Sequence, residues 1–422
     1  MGGTRLLQRH KKKLTGRIRG KQTKARENNK DFMRSYKFRI YPSKAQEKEL
    51  RHHLWVSKEL WNKLLEANKQ KYSEETKFLT NGEMQEAVKG SYLYSQVAQT
   101  LSHRLHNALW RMIKLRKQGK ECGFPRFKNI DRIKSLNYPQ SGFSLDEKLK
   151  VTPFGELSIV KHRRINGKIR CMALKKEASG KWFAIFCVEQ EENLPGENKG
   201  IKVGVDLGLM RFATLSDGAV IKNPLHLKKH EDKLALIQKR LSEKKKGSFN
   251  RKKARIHVAR VFEKVVNTRT DFLHKASTLL VNSYSIIVLE KLSSREMAER
   301  QFGKQINDAG WGMFANMLAY KAESAGCHVV FVNPKDTTKE CSNCRNLTKK
   351  ELRERMHTCP FCGLSMDRDL NAARVILKRA TDPKGRAMRQ QAHSTAGTAG
   401  SNASGDVAVA MSMKEDAACF NR

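Results

Sequence analysis

Apolar and polar residues alternate over residues 34–43, RSYKFRIYPS, where Tyr36, Phe38 and Ile40 share a side. A period of two predicts a half-buried strand, stopped by Pro42. From Ser43 the period lengthens. Leu50, Leu54, Trp61, Leu64 and Leu65 fall on one stripe of a long helix, with Ser43 as its cap and Glu47 in roughly capping-box range. A second helix is predicted from about Ser95 to Lys117, with Val97, Leu101, Leu105, Ala108, Leu109 and Met112 turned inward; residues 119–131 break it. Trp55, Trp61 and Trp110 lie at helical spacing and read as core rather than as base-stacking platforms. From about 134 to 192 the period returns to two, in runs such as LSIV, KIRCMAL and KWFAIFCVEQ. A helical insert between β segments that complete one barrel or sandwich is expected, with residues 193–200, NLPGENKG, as a linker.

A second pattern begins near residue 201. IKVGVDLG reads as a buried strand and RFATLSDGAVI as its hairpin partner. Residues 226–282 are helical and intensely basic, interrupted near Gly247. YSIIVLEKL (284–292) and HVVFVNP (328–334) are two further buried strands, separated by a helix at 311–326. A cysteine-rich module follows, then a helix over 367–380, DRDLNAARVILKRA. Residues 381–422, rich in Ala, Ser, Gly and Thr, read as disordered.

Charge changes the picture most. The 422 residues, enough for about two to four domains, carry 84 Lys plus Arg against 42 Asp plus Glu, a formal net charge of +42. Such an excess repels itself unless a polyanion neutralises it. Nucleic acid is the expected partner, bound through phosphate neutralisation and counterion release. Residues 1–33 alone hold eleven Lys or Arg against two acids, which reads as a disordered or induced-fit basic arm. Met33 is a candidate start, because the patterned sequence begins just after it. Lys244, Lys245, Lys246, Arg251, Lys252, Lys253 and Arg255 are candidate phosphate contacts, which position a strand without reading its sequence. No apolar run approaches the roughly 18 residues of a membrane span. Nine cysteines, five of them scattered, fit a reducing cytosol better than a disulfide framework.

The remaining four cysteines carry chemistry. Cys341, Cys344, Cys359 and Cys362 form two C-x2-C pairs separated by fourteen residues. That spacing places four thiolates around one Zn²⁺. With every position filled by sulfur no water can bind, so the zinc is structural, and His357 is not needed as a ligand. Reactivity falls to the acids. Asp206 ends the strand VGVD, where Gly204 and Gly208 allow close backbone or ligand approach. Glu290 ends the strand IIVLE, and Asp369 lies in the first turn of the last helix, where Asp367 is the better cap. Any one of them alone is more simply a cap or an ion-pair member. Together, three such carboxylates can hold two Mg²⁺ about 4 Å apart for phosphodiester hydrolysis.

GVDLG, IIVLEKL and C-x2-C…C-x2-C followed by DRDLNAARVIL resemble the split RuvC-like nuclease of TnpB proteins, which are similar to miniature type V CRISPR effectors. KFRIYPSKAQEKEL, GFPRFK (123–128), GSFNRKK (247–253), RTDFLHK (269–275) and the terminal TAGTAGSNASGD extend the resemblance over about 34–410. It implies an α+β multidomain protein: a β-rich wedge domain with a helical recognition insert, and an RNase H-like (RuvC) α/β nuclease domain split by a zinc ribbon. The boundaries it suggests are an arm at 1–33, wedge strand and helix start at 34–50, recognition helices at 51–125, wedge β domain at 126–198, nuclease at 199–334 and 366–380, zinc ribbon at 335–365 and tail at 381–422. It further implies an RNA-guided DNA endonuclease of an insertion sequence, cytoplasmic and nucleoid-associated, with guide RNA and double-stranded target DNA as partners, no membrane, and a monomer favoured. Carried over by motif, the catalytic acids are Asp206, Glu290 and Asp369, with two Mg²⁺. A CRISPR effector with an array-derived guide is the nearest alternative. A non-cleaving zinc-ribbon repressor is the other, and the intact acids count against it.

Overall fold

The computed structural model describes residues 32–190, 200–300, 302–349, 351, 354–381 and 390–391. The expectations for the basic arm up to residue 31, for the linker at 193–200 apart from Gly200, and for the tail beyond Thr381 fall outside these, Gln390–Gln391 apart.

Strand β1 (Phe32–Tyr41) leads through Pro42 into α1 (Lys44–Glu75). Ser43 caps α1, its hydroxyl accepting from the Gln46 N–H at 3.2 Å while the Gln46 side chain accepts from the Ser43 N–H at 3.0 Å. The box is therefore closed by Gln46 and not by Glu47, which instead accepts from Arg51 one turn on. The position three residues after the cap has the reach, and Glu47 is one residue too far. Helices α2 (Asn81–Glu86) and α3 (Ser95–Lys117) follow. Then come β2 (Ser135–Tyr138), β3 (Phe143–Leu145), β4 (Leu149–Val151), β5 (Gly155–Val160), β6 (Lys168–Lys176) and β7 (Trp182–Gln190). All seven strands join one antiparallel sheet in the order β2-β6-β7-β1-β5-β4-β3. The first strand of the chain thus sits mid-sheet between β7 and β5, and the helices are an insert, as the periodicity predicts. They close one core with the sheet, in which Phe38, Ile40, Leu50, Leu65, Leu105 and Phe186 are wholly buried. Trp61 belongs to that core. Trp55 and Trp110 do not, being 48% and 56% exposed. Their helices bury the neighbouring Leu54 and Leu109 instead, and one residue along a helix turns a side chain by about 100°.

The rest of the described chain is mixed α/β. It comprises β8 (Ile201–Leu207), β9 (Arg211–Leu215), β10 (Val220–Lys222), α4 (Glu231–Ser242), α5 (Phe249–Ser283) and β11 (Tyr284–Glu290). These are followed by α6 (Ser294–Arg300), α7 (Gly303–Ala309), α8 (Trp311–Ala325), β12 (His328–Val332), β13 (Met356–Thr358), β14 (Ser365–Asp367), α9 (Arg368–Thr381) and β15 (Gln390–Gln391). The sheet order is β10-β9-β8-β11-β12-β15, with β8, β11 and β12 parallel. Alternation along the strands decides which face each residue meets. Val203, Val205, Ile287 and Leu289 pack with Leu273, Leu280, Phe314 and Leu318 of α5 and α8. The intervening Val288 packs with Val332 and with Ile376 and Ala380 of α9. Gly204 shares the α9 side. A Cβ built there would lie 2.1 Å from the Ala373 carbonyl oxygen and 2.7 Å from the Leu377 nitrogen. Only a residue without a side chain lets α9 rest on the strand backbone here.

Candidate active site and metal centre

The same alternation places the acids. Leu289 of β11 is in register with Val205 of β8, so the next residues, Glu290 and Asp206, stand side by side at the strand ends. One residue past the α5/α8-facing Val205 and Leu289, both turn toward α9, and Asp369 is in the first turn of that helix. Asp206 registers the crowding: burial first, then the charges of Glu290 and Asp369, push its carboxyl from 3.8 up to about 8. Burial also raises Glu290, opposed by a hydrogen bond from the Thr337 hydroxyl and by the charge of Arg379. Asp369 accepts from Arg368 at 3.2 Å, with Arg355 4.0 Å away. Asp367 has another job. Its carboxylate accepts the Asp369 and Leu370 N–H groups at 3.0 and 3.1 Å and pairs with Arg211 at 3.0 Å, so it is the cap the sequence suggests. Asp206 lies within electrostatic reach of Glu290 and of Asp369, but the three acids are not drawn into one tight cluster; among the described residues only the cysteines are. Hard carboxylate oxygens of this kind are donors that suit Mg²⁺, and Asp206, Glu290 and Asp369 are the residues that could hold it.

The four cysteine sulfurs all lie within 4.8 Å of one another. Cys341 to Cys362 is 3.6 Å and Cys344 to Cys359 is 3.5 Å. Four sulfurs about 2.3 Å from one ion in a tetrahedron stand about 3.8 Å apart, so the quartet fits zinc. The two knuckles match in backbone. The Cys341 N–H donates to Asn346 O and the Arg345 N–H to Cys341 O; likewise the Cys359 N–H donates to Leu364 O and the Gly363 N–H to Cys359 O. Both turns need a left-handed residue after the second cysteine. Gly363 supplies it at φ 72°, and Arg345 adopts φ 66° without that freedom. His357 is wholly buried between the pairs and lies outside the sulfur quartet, in keeping with a four-cysteine set.

Sequence reasoning missed the residues that join the two sites. Asn371 of α9 is wholly buried. Its amide donates to Glu340 O at 2.8 Å and accepts the Ser342 N–H at 2.8 Å, gripping the backbone on both sides of Cys341. Arg379 donates to the Glu340 carboxylate at 3.0 Å and to the carbonyls of Asn333 and Lys335 at 2.8 Å. Arg368 donates to Glu354 O at 3.0 Å. The available signal was an Asn on the apolar stripe of DRDLNAARVIL, a place a polar residue occupies only when its hydrogen bonds are met. Asn371→Ala would strand two buried backbone groups at about 1–3 kcal/mol each. It is expected to lower the melting temperature and to speed zinc loss to a chelator. An unchanged release rate would show that α9 does not hold the first knuckle.

The basic candidates divide. Lys244, Lys245, Lys246 and Lys252 are exposed around the turn between α4 and α5, and exposed Lys253 lies 4.9 Å from the Phe249 ring. Arg251 is occupied structurally, donating to Leu241 O and Lys244 O at 2.9 and 2.8 Å at the end of α4. Arg255 pairs with Asp131 at 3.0 Å.

Comparison with known proteins bears on all of this. A "Putative RNA-guided DNA endonuclease" of Streptomyces pristinaespiralis is 31% identical over 363 residues, covering 82% of this chain and 88% of the relative. A family model described as "Probable transposase" (OrfB_IS605) matches residues 185–301, and one described as "Cas12f1-like, TNB domain" matches 311–376. The chain belongs to the TnpB family. A further relative of this TnpB chain is the "Putative RNA-guided DNA endonuclease InsQ" of Escherichia coli K12, 28% identical over 374 residues and covering 82% of this chain and 92% of the relative. A helix-turn-helix model matches residues 33–77, which fold here as β1 and the single long helix α1. Among solved structures, the fold resembles that in "Cryo-EM structure of the Cas12f1-sgRNA-target DNA complex", with a TM-score of 0.54, 14% identity, and 84% of this chain and 99% of that one covered. Among the described residues no helix is long and apolar enough to cross a membrane.

Proposed function

We propose that this TnpB-family protein is an RNA-guided DNA endonuclease that hydrolyses phosphodiester bonds of target DNA paired to its guide. In this reading residues 199–334 and 366–380 are an RNase H-like (RuvC) nuclease split by a zinc ribbon, and the seven-stranded sheet with its helices is the wedge and recognition part. The observation that carries it is the pairing of Asp206 and Glu290 at the ends of adjacent parallel strands, under the helix that bears Asp369. Two Mg²⁺, when bound there, would activate a water and stabilise the leaving oxygen. The chain's own residues do the rest. Asp206 and Glu290 offer oxygens from a rigid sheet, Thr337 orients Glu290, and Arg368 fixes Asp369. The lysines around the α4–α5 turn hold phosphates. The test is cleavage of a plasmid matched to the RNA that co-purifies with the protein, with Mg²⁺ or with EDTA; no guide-dependent cutting would sink the proposal. Sequencing that RNA distinguishes a guide from the element's end from one copied from an array.

The Asp206 carboxyl also predicts a pH dependence. Its folded value of about 8 lies above the ordinary 3.8, so the neutral acid is favoured in the fold. Its contribution to stability is whole below the ordinary value and is lost as pH rises through about 8. Metal-free protein should therefore melt lower at pH 9 than at pH 7, beyond the change in Asp206→Asn, and Mg²⁺ should remove the difference. Parallel melts with and without the ion check this.

A further inference from the structure

Helix α9 carries four cations, and they are of two kinds. Arg368 pairs with Asp369 at 3.2 Å, and Arg379 donates to the Glu340 carboxylate at 3.0 Å. Arg374 and Lys378 meet only neutral acceptors. The Arg374 Nε donates to Ser216 O at 3.4 Å, and its Nη1 lies 4.0 Å from the Met366 sulfur. The Lys378 ammonium donates to Ser342 O. Both residues are exposed, and among the described residues no carboxylate is within ion-pair distance of either. Four residues apart on a helix, they are neighbours on one face, where like charges repel. Both line a single cleft of about 270 Å³ between α9, the turn after β9 and the first cysteine knuckle. Leu364, Met366 and Leu377 supply its apolar lining. Its walls are fixed. The Ser216 hydroxyl accepts the Gly204 N–H at 3.0 Å, Asn371 accepts the Ser342 N–H at 2.8 Å, and the Asn343 N–H donates to the Cys341 sulfur at 3.4 Å. Apolar walls exclude water and strengthen the field of the two cations. The cleft has the charge, the donors and the rigidity of an anion seat.

We propose that this cleft seats one backbone phosphate of a bound nucleic-acid strand, held by Arg374 and Lys378. Phosphate oxygens accept from guanidinium and ammonium alike, and one bound phosphate relieves the repulsion between the two side chains. The cleft falls just short of the roughly 300–1,000 Å³ of small-molecule pockets, which suits one phosphodiester unit, its sugar against the apolar lining. Because the walls are already in place, little ordering is lost on binding. Arg374 is five residues beyond Asp369, about 7.5 Å along the helix axis, so a strand docked here is fixed relative to that acid. The inference rests on the reading that the protein binds nucleic acid, and the phosphate can belong to RNA or to DNA. The alternative is that the two cations only brace the knuckle against α9.

The test uses the full chain and two labelled probes: the RNA recovered from the wild-type preparation, and a DNA duplex of random sequence. Affinity is measured against salt concentration for wild type, Arg374→Gln, Arg374→Lys and the double variant Arg374→Gln/Lys378→Gln, with zinc content and melting temperature alongside. The double variant should lower the slope of log affinity against log salt by about 0.7 on RNA or about 0.9 on duplex, and weaken binding several-fold on that probe. Arg374→Gln should give part of that change, and Arg374→Lys, which keeps the charge, should retain the wild-type slope. The probe that responds identifies the source of the phosphate. If the double variant keeps its zinc, melts like the wild type and holds its slope on both probes, the seat is refuted. Should it lose zinc or fail to fold, Arg374→Gln decides alone, and an unchanged slope there leaves only the bracing role. Failure of the wild type to bind either probe would count against the nucleic-acid reading itself, whereas wild-type binding with unresponsive variants sinks only the seat.

Discussion

Asp206→Ala is expected to abolish guide-dependent cleavage while leaving guide RNA and matched DNA bound. The side chain removed is at the crowded point of the site, where Glu290 and Asp369 both press on it. Its loss takes away a proposed metal ligand but none of the basic surface. Several kcal/mol of charge stabilisation depend on the ions, and each ~1.4 kcal/mol is tenfold in rate, so about a thousandfold or more should go. Glu290→Ala and Asp369→Ala should behave alike. Asp367→Ala is the control, because that carboxylate caps α9 and pairs with Arg211. It should cost about 1 kcal/mol of stability and leave cutting within several-fold. Cleavage measured beside target binding for the four variants decides the matter. If Asp367→Ala stops cutting while Asp369→Ala spares it, the third acid is misassigned. If Asp206→Ala still cuts, the nuclease assignment fails.

Cys359→Ser should be the most damaging substitution for stability. Zinc bound by four thiolates contributes of order 10 kcal/mol to a small module that has little apolar core, and this is folding free energy. The damage should not stop at the module. Asn371, Arg379 and Arg368 tie the segments around the knuckles to α9, so a collapsed quartet releases the helix that carries Asp369. The expectation is about one zinc per wild-type chain, less in Cys341→Ser and Cys359→Ser, with lower melting temperature and solubility in both. A zinc-free preparation that melts like the wild type would contradict it.

Much of this was readable in the sequence, and the misses have a common cause. The strands ending in Asp206 and Glu290 are legible because β-branched runs ending in an acid have few alternatives. The cysteine quartet is legible from spacing alone. That Gly204 admits α9 was half legible: the glycine announces a close approach without saying what approaches. Trp55 and Trp110 misled, because helical spacing alone does not say which neighbour faces the core. Arg251 looks like any other member of a basic run, yet its guanidinium closes the end of α4, a role only its neighbours in space reveal. Asn371, Thr337 and the Asn62–Lys128 pairing are likewise long-range hydrogen bonds, and local periodicity carries no information about them.

The placement of α9 also sets the order in which the protein becomes dangerous. In chain order the strands of the first sheet, then β8, β11 and β12, are all synthesised before residue 369. Until then the proposed active site lacks Asp369, and Val288 and Val332 lack the cover of Ile376 and Ala380. On the proposed function, a product terminated before residue 369 would not cut and, with apolar sheet left open, would be a ready substrate for proteolysis. On that reading the topology of the fold keeps cutting back until the chain is nearly whole.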